Sequence, residues 1–156
     1  MRLVEGAGFK EMEEMLKALP RSTARGVARR AMKKALAPVE AAARAAAPTA
    51  GEAADISVSS KLTKAQAKEN PDRDTDTLLN LFIGSRSKLA HLFEFGTGPR
   101  FHKSGKFTGI MGARPFMRPA WDGNSDEVLR LLSADLRVEI EKSFARAARK
   151  AARNGG

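Results

Sequence analysis

The spacing of apolar residues changes twice along this chain, and that change limits the folds open to it. Toward both ends, apolar residues recur every three or four positions, which is typical of amphipathic helices. Between residues 56 and 83 they alternate with polar residues or run without a break, which indicates β-strands. With 156 residues, 42% of them hydrophobic, the chain can bury one core. We therefore predict helices at both ends, strands between them, and a single domain over 1–156.

The N-terminal segment predicts two helices after a short edge strand at residues 2–5. The first helix should end at Pro20, and it has one apolar face, made of Phe9, Met12, Leu16 and Leu19. The second carries a narrow apolar stripe over residues 27–46, with basic residues opposite. Pro38 has no backbone N–H and should kink or divide this second helix.

The middle of the chain predicts two strands and a loop between them. Residues 56–62 alternate between apolar and polar, as in a half-buried strand. Residues 77–83 are apolar on both faces, which favours a central strand. The intervening residues 63–76 are polar and contain a proline, and they are too many for a tight hairpin. We expect them to form a mobile loop.

The segment from residue 88 to residue 121 predicts a short helix followed by irregular structure. Residues 88–95 have helical spacing, and Gly96 should end that helix. Residues 98–112 are rich in glycine and cations, so we expect an extended arm or loop. Residues 113–121 should be extended or turn-like, because residues before proline avoid the helical conformation.

The C-terminal segment predicts one long helix. Apolar and small residues follow a near-heptad along it, at Leu129, Leu132, Leu136, Ile140, Ser143 and Ala147. The helix should run at least to Phe144, and residues 150–156 should form a frayed tail.

The chain is strongly basic, with 28 Lys and Arg against 18 Asp and Glu and a net charge of +10. The excess lies in residues 21–44 and 142–153. Such helices either face DNA or are solvated. We favour solvation for any single residue and contact with DNA for the surface as a whole. The candidate DNA-facing residues are Arg25, Arg29, Arg30, Lys33, Lys34, Arg146, Arg149 and Lys150.

Several function classes are excluded or disfavoured by the composition. There is no cysteine, so no disulfide framework or thiolate chemistry is available. No apolar run approaches the length of a membrane span, and the N-terminus lacks the apolar stretch of a signal peptide. His91 and Glu94 are three residues apart on a predicted helix, but a metal or acid–base site needs a third convergent group. We expect no metal and no cofactor.

The remaining catalytic motifs are also missing. The glycine-rich segments lack the lysine–serine/threonine ending that holds phosphates and magnesium. No serine stands with a histidine and an acid in a nucleophile elbow. The carboxylate pairs Glu13–Glu14 and Glu139/Glu141 are interpreted as solvated helix faces rather than a glycosidase pair. We therefore predict that the protein is not an enzyme.

Two segments, in this order, resemble those of a phage protein family. Residues 89–97 resemble the "hydrophobic–Glu–Phe–Gly–Thr" signature of siphophage neck and minor tail proteins, the head–tail connector or tail-completion family. Residues 113–121 resemble that family's "Pro–Phe–apolar–basic–Pro–Ala" element, and residues 48–51 are similar to its "Pro–x–x–Gly" link. The motif and interface residues carried over are Glu94, Phe95, Gly96, Thr97, Arg114, Pro115, Phe116, Arg118, Pro119 and Trp121.

The resemblance implies a fold of the α+β class, with a small antiparallel sheet packed with a long basic N-terminal helix and a long C-terminal helix. It also implies a structural virion protein at the head–tail junction, assembled in the host cytoplasm. The protein would form a homo-oligomeric ring, expected to be a hexamer, that joins or completes the tail and lines the DNA passage. Its neighbours would be the connector or stopper and the tail terminator or tail tube, and double-stranded DNA would pass without sequence readout. No membrane contact is expected.

The motifs also suggest roles for single residues. Glu94, at a helix end, should pair with Arg114 or Arg118 of the same or the next chain. Pro115, Phe116, Pro119 and Trp121 should pin the chain against the sheet before the last helix. The alternative to the whole assignment is a free-standing nucleic-acid-binding protein without sequence preference, which explains the charge but lacks the usual recognition motifs.

Overall fold

A computed structural model of the chain describes residues 7–61 and 79–154. Its helices are α1 (Ala7–Lys17), α2 (Arg21–Ala35), α3 (Ala37–Ala46), α4 (Ala50–Asp55), α5 (Ala90–Phe95), α6 (Met117–Asp122) and α7 (Ser125–Asn154). Its strands are β1 (Ile56–Ser59), β2 (Phe82–Ser85), β3 (Thr97–Phe101) and β4 (Phe107–Met111). The predicted α+β class is confirmed. The strand expected at 2–5 and the loop expected at 63–76 lie outside the described residues.

Contacts within the chain separate into two compact units. Unit 1 comprises Met1–Ala35, Asp72–Leu81 and Glu127–Gly156, and unit 2 comprises Leu36–Pro71 and Phe82–Asp126. Both units fall within the stretch for which we expected one domain. Among the described helices, none is long and apolar enough to cross a membrane.

Unit 1 is built from α1, α2 and the long helix α7. Its core is small and mostly aliphatic, because the buried residues at its centre are Met12, Leu19, Val27 and Ile140. Met15, Leu16, Ala24 and Leu136 pack around them. The apolar face predicted for the first helix therefore faces this core at the three positions whose side chains are described.

Helix α7 has 30 residues, so it is about 45 Å long at 1.5 Å per residue. Ile140 and Ser143 are buried, whereas Leu129 is 48% exposed, so the near-heptad meets the core only in the middle of the helix. Every residue from 144 to 153 is exposed. The helix includes residues 150–154, where we expected a frayed tail, and this run of alanine and arginine has high helix propensity.

Unit 2 surrounds a core formed by α3, β1 and α6. Val39, Ala43, Ile56 and Phe116 are fully buried. Helix α3 packs against α6, α4 and β1. As predicted, the second helix is divided near Pro38: α2 ends at Ala35, and α3 begins at Ala37 with the proline in its first turn, where the missing N–H leaves no helical bond unmade.

The strands form two separate antiparallel pairs, β1 with β2 and β3 with β4. In the first pair Ile56 lies opposite Ser85, and Ser59 lies opposite Phe82. The prediction of a central strand over 77–83 is wrong for the described residues, because β2 begins at Phe82 and pairs only with β1. An apolar run of this length does not fix where a strand begins or how many neighbours it has.

Two further segments differ from the sequence prediction. Residues 98–112, expected as an arm or loop, largely form the hairpin β3–β4, which turns at Gly105 with a φ of 79°. Residues 113–121, expected to be extended or turn-like, include most of helix α6, which spans Met117–Asp122. Pro119 is compatible with this helix because it lies in the first turn, where backbone N–H groups have no partner within the helix.

Candidate functional site

The motif residue Glu94 binds the start of helix α6. Its Oε2 accepts backbone N–H bonds from Phe116 at 2.9 Å and from Met117 at 3.0 Å, and its Oε1 accepts one from Arg118 at 3.0 Å. Phe116, the N-cap residue of α6, makes no side-chain cap bond. Glu94 therefore supplies, from α5, the acceptors that a capping side chain would give to the first turn. Pro119, which follows Arg118, has no backbone N–H and needs no acceptor.

The charge of Glu94 is stabilised by the same contacts. Partial burial raises the pKa of Glu94, but the backbone N–H donors of Phe116, Arg118 and Met117, together with the Arg118 charge, outweigh it and lower the pKa below its usual value. The partners differ from those we expected, because the carboxylate bonds to backbone N–H groups rather than to the side chain of Arg114 or Arg118. Arg114 instead donates its backbone N–H to the Phe93 carbonyl, at 2.7 Å.

Gly96 and Thr97 fix the point where helix α5 gives way to the hairpin. Gly96 has a φ of 73°, and a Cβ atom there would lie 2.8 Å from both the Met111 carbonyl oxygen and the Ala113 nitrogen. No larger residue fits without moving backbone, which agrees with the predicted helix stop. Thr97 accepts the Met111 N–H on its Oγ1 at 3.1 Å. Three of the four residues of the Glu–Phe–Gly–Thr signature are thus bonded or packed within the chain.

The fourth motif residue, Phe95, points outward. Its exposed fraction is 77%, the highest among the exposed large apolar residues of the described chain. Phe95 borders an open groove of about 740 Å³, whose lining includes Val39, Ile83, His91, Trp121 and Asp122. Trp121 is 45% exposed, whereas Phe116, which also lines the groove, is fully buried. An exposed aromatic pair beside a groove is typical of a binding surface.

The second segment contributes one core anchor. Phe116 is buried, but Pro115, Pro119 and Trp121 are exposed, so they do not pin the chain against the sheet as a group. The side chains of Arg114 and Arg118 are also exposed.

The candidate DNA-facing cations divide into two sets. On α2, Arg30 Nε donates to Glu139 Oε2 at 2.7 Å and Lys34 Nζ donates to Glu139 Oε1 at 3.1 Å. Lys142 of α7 lies 3.7 Å from the same carboxylate. These bonds lower the pKa of Glu139 to about 2, with the bonds to Arg30 and Lys34 as the largest causes. Glu139 is therefore buried and bonded to these cations, and the prediction that it lies on a solvated helix face is wrong.

The other α2 candidates differ from one another in exposure. Arg29 and Lys33 are exposed, and Arg25 is partly buried. On α7, Arg146, Arg149, Lys150 and Arg153 together border a small surface depression of about 390 Å³. All four are exposed, and no acid follows Glu141. This cationic stripe (Arg146, Arg149, Lys150 and Arg153) is the most concentrated positive surface on α7.

Sequence reasoning also missed a polar cluster inside unit 2. Glu52 is buried and accepts the Ser87 hydroxyl at 2.5 Å and the Ser85 hydroxyl at 3.5 Å. Arg44 donates to the Ala53 and Ile56 carbonyls and pairs with Glu40, which ties α3 to the start of β1. The only sequence signal was Thr49, which caps α4 by accepting the Glu52 N–H at 3.2 Å.

Among the described residues, neither histidine belongs to a metal-binding group. His91 is exposed on the groove, and His102 Nδ1 lies 3.0 Å from Ser104 Oγ at the hairpin turn. Within residues 7–61 and 79–154, no three His, Asp or Glu side chains converge in a way that could hold a metal ion.

Comparison with known proteins agrees with the motif. Residues 10–96 match the family described as "Bacteriophage HK97-gp10, putative tail-component". That span covers more than half of the chain and ends at Gly96, so it includes Glu94 and Phe95 but not residues 113–121. Neither the curated proteins nor the solved structures contain a significant match. The chain belongs to the HK97-gp10-like family of phage tail components.

Proposed function

We propose that this chain is a non-enzymatic structural protein that forms a ring at the head–tail junction and joins or completes the tail. The family assignment gives the coarser statement, a tail component located in the virion and in contact with other virion proteins. The more specific proposal, a ring at the head–tail junction, is supported by the directions in which the motif side chains point. Glu94 and Thr97 are bonded and Gly96 is packed within the chain, whereas Phe95 is left 77% exposed on the groove that Trp121 also lines. A side chain that the fold does not use is available to a neighbour.

A ring is the closed assembly that suits this position. Identical subunits that meet through two different surfaces close into a ring when the rotation fits, and six copies would match the symmetry expected of the tail. The ring would contact a connector or stopper on one side and the tail terminator or tail tube on the other. We propose that it assembles in the host cytoplasm and stays in the virion.

The cationic stripe on α7 is our candidate for contact with passing double-stranded DNA. Its four cations have no acid after Glu141 to neutralise them, whereas Arg30 and Lys34 on α2 are bonded to Glu139. A lysine or arginine surface of this kind binds phosphates without reading bases. The affinity for duplex DNA should be weak and should fall steeply with salt, with a slope of about −0.9 in log K against log salt for each phosphate neutralised.

The same stripe also supports the alternative, a free-standing nucleic-acid-binding protein without sequence preference. Size separates the two. A free DNA-binding protein would remain a monomer or dimer, whereas a junction protein would form rings or join phage particles.

Complementation of a deletion in the parent phage tests the proposal. Loss of the protein should leave filled heads and separate tails, with normal DNA synthesis, as judged by electron microscopy of the lysate. The variant Phe95→Ser should fold normally yet fail to restore joined particles, because it removes only an outward side chain. Val138→Ser is the matched control, since Val138 is 41% exposed on α7 and is not a motif residue, and it should complement. A deletion that stops replication or capsid maturation would contradict the proposal.

A further inference from the structure

The hairpin β3–β4 is exposed along most of its length. Every residue from 98 to 108 is exposed, and Phe101, Phe107 and Ile110 are each more than half exposed. The rings of Phe101 and Phe107 meet edge to face, with centroids 5.6 Å apart. Among the described residues the two strands pair only with each other. A two-stranded hairpin alone is marginally stable in water, so an aromatic tip of this kind favours a contact that covers it.

The hairpin is also purely cationic. Residues 97–111 contain Arg100, Lys103 and Lys106 and no acid. The surface that fits the hairpin must therefore combine apolar area with negative charge.

The groove beside Phe95 has both properties. Phe95 and Trp121 provide exposed aromatic surface, and Asp122, at its edge, is exposed and pairs with no cation among the described residues. The Glu94 carboxylate also lines the groove. The groove lining contains two carboxylates, Glu94 and Asp122, and one cation, Arg118, so its formal charge is −1. The hairpin carries three positive charges.

We propose that the hairpin of one copy of this chain docks in the Phe95–Trp121 groove of the next copy. Phe101 and Phe107 contact the two groove aromatics, and a lysine of the hairpin pairs with Asp122. In a single chain both surfaces are exposed, so the contact is made between copies. Because each copy offers one hairpin and one groove, the contact is heterologous and propagates around a ring. This inference rests on the proposed function and names the interface that would build the ring.

Disulfide trapping in the full chain tests the proposed contact, because the protein has no cysteine of its own. Lys106→Cys places a thiol on the hairpin and Asp122→Cys places one at the groove, and both native side chains are exposed. Under mild oxidation the double variant should give a ladder of dimers, trimers and larger species on a non-reducing gel. An equal mixture of the two single variants should stop at dimers, and each single variant alone should remain monomeric.

Two controls make the result specific. The pair Lys150→Cys with Asp122→Cys has one exposed thiol outside the hairpin and should give no ladder. Adding Phe101→Ser and Phe107→Ser to the first pair should reduce the ladder by about tenfold or more, since each lost aromatic contact is worth about a factor of ten or more. Circular dichroism should show that these variants keep the wild-type fold.

The inference is overturned by no ladder above the control, by efficient cross-linking of Lys106→Cys alone, or by a ladder that survives loss of both phenylalanines. Its failure is distinct from failure of the proposed function. If deletion of the protein separates heads from tails but no ladder forms, only the interface is wrong. If the ladder forms but deletion leaves joined particles, the function is wrong and the contact stands.

Discussion

The carboxylates of Glu94 in unit 2 and Glu139 in unit 1 each join separate elements of their own unit, but their partners differ in kind. In unit 2, Glu94 binds three backbone N–H groups, which among side-chain substitutions only proline would remove. In unit 1, Glu139 binds the side chains of Arg30 and Lys34, which are 45% and 48% exposed. The first contact determines the path of the backbone, and the second joins two helices through long, partly solvated cations. We therefore expect the motif region to depend on shape and the helix pair to depend on charge.

The largest effect should come from the core beneath the Glu94 contact. Phe116 has a fully buried ring, and its backbone N–H is one of the donors to Glu94. Phe116→Ala removes the ring and should lower the free energy of unfolding by about 3–5 kcal/mol. Urea unfolding followed by circular dichroism measures this. A loss below about 1 kcal/mol would mean that Phe116 is not the anchor of unit 2.

The next largest effect should come from Glu94→Ala. The change leaves three first-turn N–H groups without their acceptor and should cost about 2–3 kcal/mol, within the range for a lost cap and for partly buried unsatisfied donors. Glu94→Gln should recover only part of this, because its amide nitrogen cannot accept a bond. The control is Asp122→Ala, an exposed carboxylate in α6, which should change stability by less than about 0.5 kcal/mol. Equal losses of stability for Glu94→Ala and Asp122→Ala would show that Glu94 does not stabilise the start of α6.

A smaller, salt-dependent effect is expected for Glu139→Gln. The amide keeps the shape but can accept from only one of Arg30 and Lys34, so we expect a loss of about 1–2 kcal/mol. In 1 M salt this difference from the wild type should shrink, since the two cations are half exposed and ions screen them. The Glu94→Ala difference should barely change with salt. The same salt response in both would erase the contrast between the two contacts.

The contribution of Glu139 to stability should disappear at acid pH. Because the folded pKa of Glu139 is about 2 and the ordinary value is 4.5, its stabilisation is present above pH 4.5 and is lost as the pH falls from 4.5 toward 2. The wild type should therefore lose its advantage over Glu139→Gln across that interval in acid-unfolding curves. A constant difference between the two proteins from pH 6 to pH 2 would contradict the assignment.

The elements with local signals could be predicted from the sequence. The face of α1, the division near Pro38 and the helix stop at Gly96 each depend on residues close in the chain. Glu94 was identified as a motif residue, but its acceptor role could not be predicted, because its donors lie 22–24 residues away. The partners of Glu139 lie more than 100 residues away, and charged residues on a helix are usually solvated.

The missed secondary structure has a different cause. Glycine and lysine in residues 98–112 are typical of loops, yet the segment pairs with itself as β3 and β4. For α6, the general bias against helix before proline does not hold, because Pro119 lies in the first turn, where a helix tolerates proline. In both cases a local preference was outweighed by contacts that the sequence does not reveal.

The most direct test of the central claim is electron cryomicroscopy of the parent particle, with the density at the neck traced. We expect this chain to form a ring between the head and the tail tube, with its Phe95 side chains covered by neighbouring subunits. Particles whose heads and tails are joined without this chain at the junction would contradict that account.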